Sequence, residues 1–236
     1  MACASNKTYL KARIFGTKFC QSLPPAGLLP VKREATPGRG FQSPLRALTL
    51  TALSLTAVLL LSLQPARAER DHKTLLLAGK YYLINHPNDA RTLGSVGSLE
   101  IEFGQYDDAI KHLTHAIEIA PLEKAYYIDR ADAYLHSGAY EKAIADANVI
   151  MKSQNGTELG LALANRGEAS YRLKNYKQAM TDLTQAIHYL PDLGSTYFYR
   201  AKTCEQMNRS DLAALDYAKA RERGFTTDGQ AEMSTK

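Results

Sequence analysis

Two stretches of the chain, FGQYDDAIKHLTHAIEIAP (103–121) and LKNYKQAMTDLTQAIHYLP (173–191), carry the same pattern of side chains 70 residues apart. Outward from them the chain aligns to itself in four windows that start at Ala90, Lys124, Gly160 and Gly194, spaced by 34, 36 and 34 residues. Window position 8 is small throughout (Gly97, Ala131, Gly167, Ala201), as are position 20 (Ala109, Ala143, Ala179, Ala213) and most of position 27 (Ala116, Ile150, Ala186, Ala220). Position 4 is large (Leu93, Tyr127, Leu163, Tyr197), position 17 reads Tyr106, Tyr140, Tyr176 and then Ser210, and position 24 reads Leu113, Ala147, Leu183, Tyr217. Apolar spacings of 3, 4 and 7 are helical, so each window predicts two helices. Gly104 and Gly138 mark the turn between them, and Pro121 and Pro191 end the second helix. A helix hairpin of this kind cannot bury its apolar face alone, so the hairpins are expected to stack.

These positions resemble the tetratricopeptide repeat family, over about residues 90–227 in four units, 90–123, 124–159, 160–193 and 194–227. The resemblance implies an all-α, right-handed superhelical solenoid of antiparallel helix hairpins, without enzymatic activity or cofactor, that binds a protein or peptide partner. Departures are Glu100 where an aromatic is usual, Lys174 in place of the turn glycine, and a two-residue insertion around Ser153–Leu159. RDHKTLLLAGKYYLIN (70–85) reads as one helix within a covering segment 69–89, closed by Pro87, and 228–236 reads as a polar, frayed tail.

By the same resemblance, partner binding falls to a concave groove lined by window positions 2, 5, 6, 9, 12 and 13. The expected lining is Ile128, Asp129, Asp132 and His136, then Asn165, Glu168, Tyr171 and Arg172, then Phe198, Tyr199 and Lys202. The Lys and Asn clamp of the chaperone-binding members is absent, with Gly94, Ser98, Asp129, Leu161 and Asn165 at its positions. An apolar and aromatic floor with acids at Asp129, Asp132 and Glu168 suits an extended or helical segment bearing basic residues. A solvated groove whose aromatics only pack helices is the alternative.

Position 7 is Arg130, Arg166 and Arg200 in the last three units, and position 23 is Asp146, Asp182 and Asp216. In an antiparallel hairpin turning near position 15, position 7 lies across from 23 or 24, which predicts a ladder of bidentate ion pairs, within a unit or to the neighbouring one. The first unit has Val96 and His112 instead.

Motifs for chemistry are sparse: no phosphate-binding loop, G-x-S-x-G or H-E-x-x-H occurs. His112, His115 and Glu118 stand at i, i+3 and i+6, but positions 23, 26 and 29 read as the solvent side of the second helix, so no metal site is expected. Enzymatic or metal-dependent function is the less favoured alternative.

Charge divides the chain. The net charge of the 236 residues is +5, yet residues 1–68 hold nine basic residues and one acid, and 69–236 are net acidic at −3. The repeat region therefore does not present the basic surface that nucleic acid needs. The charge-free run 47–66 behind Arg46, ending in Ala66-Arg67-Ala68, has the length and pattern of a cleavable signal or a membrane anchor. With the basic extension 1–46, which resembles an organelle transit peptide, residues 1–68 read as a targeting leader. The expected place of work is across a membrane, bacterial (periplasmic, secreted or anchored) or, alternatively, the thylakoid lumen, where an assembly factor or chaperone is a second reading. Cys3 and Cys20 lie in that leader, and Cys204 alone remains, so packing rather than disulfides must hold the repeats.

Overall fold

The computed structural model describes residues 71–225. The expected leader 1–68, its run 47–66 and the tail 228–236 lie outside the described residues. Within them all nine elements are helices: α1 (71–85), α2 (Ala90–Glu102), α3 (Tyr106–Ile119), α4 (Lys124–Ser137), α5 (Tyr140–Ile150), α6 (Gly156–Arg172), α7 (Tyr176–Tyr189), α8 (Gly194–Gln206) and α9 (Ser210–Glu222). Each even-numbered helix packs antiparallel on the odd-numbered helix after it, and each hairpin packs on the next. First helices also touch across units, α2 with α4, α4 with α6 and α6 with α8, as a right-handed solenoid requires.

Local sequence places the helix ends. Asp89 caps α2 by accepting from the Arg91 amide at 3.2 Å, and Asn155 caps α6 by accepting from the Thr157 amide at 3.0 Å. The inserted residues are absorbed there: α5 stops at Ile150, a turn follows, and α6 starts at Gly156 and runs for 17 residues. The turn residue at position 15 is left-handed in all four hairpins, with φ of 72° at Gly104, 82° at Gly138, 61° at Lys174 and 57° at Asn208. Only two of the four are glycine. The φ > 0 requirement belongs to the hairpin geometry and is met by Lys174 at some cost.

The core is a row of small-to-large contacts. A Cβ added to Gly97 would stand 2.6 Å from Leu113 Cγ, and one on Gly167 2.7 Å from Leu183 Cγ. The second unit has Ala131 and Ala147 at these two positions, both fully buried. Near the middle of the stack Ile128, Leu161, Leu163, Leu190 and Leu193 join Ile150 in one buried cluster. At the N-terminal end α1 packs Leu75, Leu76 and Leu83 onto Val96, Leu99 and Phe103.

Candidate functional site

Arg130 donates to Asp146 through Nε at 2.8 Å and Nη2 at 2.7 Å. Arg166 makes the same fork to Asp182 at 2.9 and 2.8 Å, and Arg200 to Asp216 at 2.7 and 2.7 Å. Each pair joins the first and second helix of one unit, and the carboxylates are buried, Asp182 to 1% exposure. The aspartate hydrogen bond raises the Arg130 and Arg200 guanidinium pKa further above the usual arginine range, against the opposing pull of burial. The remaining nitrogen ties units together. Arg130 Nη1 donates to Thr114 at 3.0 Å and Arg166 Nη1 to Asn148 at 2.8 Å, both on the second helix of the preceding unit.

The expectation that position 23 faces solvent is therefore corrected, because in an antiparallel hairpin this side of the second helix is pressed against the first. His112, at that position in the first unit, donates from Nδ1 to Glu100 Oε2 at 2.7 Å. Glu100 is fully buried, and its other oxygen lies 2.8 Å from Lys80 Nζ of α1. The first unit thus carries its acid on the first helix and its partners on α1 and α3. A second contact, His72 Nδ1 to Glu102 Oε2 at 2.8 Å, fastens α1 further. Among the described residues no three His, Cys, Asp or Glu side chains gather in a way that would hold a metal ion.

The expected groove residues divide by accessibility. Ile128, Asn165 and Phe198 are corrections: they are buried and offer no binding surface. Ile128 sits in the central cluster, while Asn165 donates its side-chain amide to the Ile128 carbonyl at 3.1 Å and so ties α6 to α4. Phe198 packs among Tyr197, Tyr217, Ala220 and Phe225. Asp132 and Glu168 are also buried, Asp132 to 1% exposure, and lie beneath the surface rather than on it.

What stays accessible is a mixed polar and aromatic strip. Asp129, half-buried, accepts a hydrogen bond from Ser98 of the preceding unit. His136 is exposed and stacks on Tyr106 with ring centroids 4.9 Å apart and planes within 9°. Tyr171 and Tyr199 bring their rings to 6.0 Å, Arg172 Nη2 donates to the Tyr199 hydroxyl at 3.0 Å, and the Arg172 guanidinium carbon lies 5.6 Å from the Tyr199 ring centre. Glu168 lies 3.8 Å from Arg172. Burial, with Glu168 nearby, pushes the Tyr199 hydroxyl far above the usual tyrosine range, so it is a fixed neutral group at any physiological pH. Lys202 Nζ stands 4.9 Å from the Phe198 ring centre. The arrangement presents donors, acceptors and ring faces in fixed positions.

A family model described as Tetratricopeptide repeat matches residues 97–155. The TPR repeat-containing thioredoxin TDX of Arabidopsis thaliana is 31% identical over 110 residues, which is 46% of this chain and 28% of that protein. A Protein SGT1 homolog of Oryza sativa subsp. japonica is 29% identical over 116 residues, 49% of this chain and 30% of that protein. The chain spans less than a third of the length of either relative. Among solved structures, MamA superimposes with a TM-score of 0.56 at 20% identity, covering 66% of this chain and 91% of that one. TTC0263, a thermophilic TPR protein of Thermus thermophilus, gives 0.56 at 20% identity, covering 69% of this chain and 88% of that one. The described residues have the tetratricopeptide fold, and the chain carries tetratricopeptide repeats.

Proposed function

We propose that this tetratricopeptide-repeat protein is a non-enzymatic scaffold that binds an extended segment of another protein along α4, α6 and α8, the segment setting a basic side chain against Asp129 and apolar side chains against Tyr171 and Tyr199. A tetratricopeptide fold supports protein–protein interaction in general. The observation that carries the finer reading is the partly buried Tyr171–Tyr199 pair, with the Tyr199 hydroxyl and ring face both held by Arg172. A rigid aromatic anchored by a charged neighbour loses little side-chain entropy on binding and is the residue type that dominates interface energetics. Asp129 adds a carboxylate with its geometry set by Ser98.

The basic leader and the charge-free run behind it support a scaffold that works across a membrane, in a bacterial envelope or in the thylakoid lumen. Protease protection of the full chain made in the presence of sealed membranes tests this: residues 69–236 become resistant, and their complete digestion would refute it.

Selection from a displayed library of random peptides against the full chain tests the groove. Enriched sequences are expected to hold Lys or Arg two to four positions from an aliphatic or aromatic residue. Binding should fall about tenfold in Tyr199→Ala and in Asp129→Lys, in keeping with one lost anchor or one reversed charge. Enrichment of acidic sequences, or equal binding by both variants, contradicts the reading.

A further inference from the structure

The repeats serve as controls for one another, and the fourth unit breaks their pattern on the side opposite the groove. Position 19 is Asp108, Lys142 and Gln178 in the first three units but Leu212 in the fourth; position 22 is Lys111, Ala145 and Thr181 but Leu215. Both leucines are on the surface, 49% and 62% exposed. Position 11, which is Glu100, Tyr134 and Ser170, becomes Cys204.

The tie between units also fails at this junction. Arg200 would donate Nη1 to Thr184 by analogy with Arg130 to Thr114 and Arg166 to Asn148. Instead its two hydrogen bonds both go to Asp216, and the Thr184 hydroxyl turns to the Met180 sulfur at 4.0 Å. A cleft of about 310 Å³ opens in that place between α7 and α9, with α8 beneath it. Met180, Cys204, Leu212 and Leu215 give it apolar walls; Thr184, Arg200 and Lys219 give it donors. Asp216, its single acid, is already occupied by the Arg200 fork.

We propose that this cleft is a second docking site, independent of the groove, for a segment of a partner protein that presents a leucine-sized apolar side chain beside a carboxylate. The apolar group enters between Met180 and Leu215, and the carboxylate takes the Arg200 Nη1 donor that the second and third units spend on their neighbours. Arg200 and Asp216 balance each other, so Lys219 leaves the cleft a net positive charge that favours a negative partner, opposite in sign to the segment assigned to the groove. The volume holds one such side chain with its backbone and not a whole helix.

The test uses the full chain labelled with 13C at the methionine methyls, read by NMR at Met180. The capped tripeptides Leu-Glu-Leu, Leu-Lys-Leu and Ala-Glu-Ala are added in the millimolar range. The glutamate–leucine peptide is expected to shift the Met180 methyl, the other two far less. Thr184→Asn gives Arg200 the partner that Asn148 gives Arg166, and it should weaken that shift about tenfold without lowering the thermal midpoint. Leu215→Thr, which restores the residue type of the third unit, should weaken it similarly. Both positions are exposed, so both variants keep the fold. Equal shifts from the glutamate and lysine peptides, no shift from any, or unchanged binding in a folded Thr184→Asn overturns the proposal.

Discussion

Removing the guanidinium of Arg166 leaves Asp182 buried with only the Gln178 amide, at 2.9 Å, and the helix around it. Arg166→Ala should therefore lower stability by about 3 kcal/mol, the range for breaking one side of a buried pair, measured by urea unfolding. Replacing both partners, Arg166→Met with Asp182→Leu, should recover most of that loss, because the pair as a whole repays little more than its own desolvation. The tyrosines set a pH limit. Burial raises the hydroxyl pKa of Tyr106, Tyr126, Tyr171, Tyr199 and Tyr217 in the folded chain. The unfolded chain then ionises first, so it binds fewer protons than the folded one above pH ~10, and stability falls as pH rises beyond that value. Thermal midpoints taken upward from pH ~9 should show this fall, and it should be shallower in Tyr217→Phe. The ion-pair ladder is visible in the sequence as a coincidence of two recurring residue types. Its third bond is not, since Thr114 and Asn148 share only a hydrogen-bonding oxygen and no residue type. Glu100 and His112 escape for another reason. They keep the contact while moving the acid to the other helix, which repeat alignment reads as a departure on each helix separately.

At the scale of the helix, periodicity alone yields the number and pairing of elements within the repeats, because small and large positions recur at helical spacing in every window. It does not yield which first-helix positions remain open. Positions 5 and 6 border both the groove and the next first helix, and burial there depends on contacts between units that a single repeat does not record. Ile128, Asn165 and Phe198 are buried, while Asp129 and Tyr199 stay partly accessible. The turns carry a prediction of their own. Lys174 holds φ at 61° where two other hairpins use glycine. Lys174→Gly should stabilise the chain by about 1 kcal/mol, since the left-handed penalty exceeds the entropy that glycine adds to the unfolded state. An unchanged or lower midpoint of denaturation would contradict that account of the turn.

Taken whole, the described molecule is a stack whose two faces differ in kind. First helices present a polar and aromatic strip that includes Asp129; second helices expose single apolar residues, Ile119, Val149 and Tyr189, in the first three units and the pair Leu212 and Leu215, beside a cleft, in the fourth. Charge along the chain follows the same division of labour, with a basic excess confined to residues 1–68 and a net acidic remainder. Hydrogen exchange of the full chain, with and without a peptide selected for binding, reads the face directly. Added protection is expected in α4, α6 and α8, greatest around Asp129 and Tyr199, while α5 and α7 stay unchanged. Protection confined to the second helices, or none at saturating peptide, would contradict the assignment of the groove.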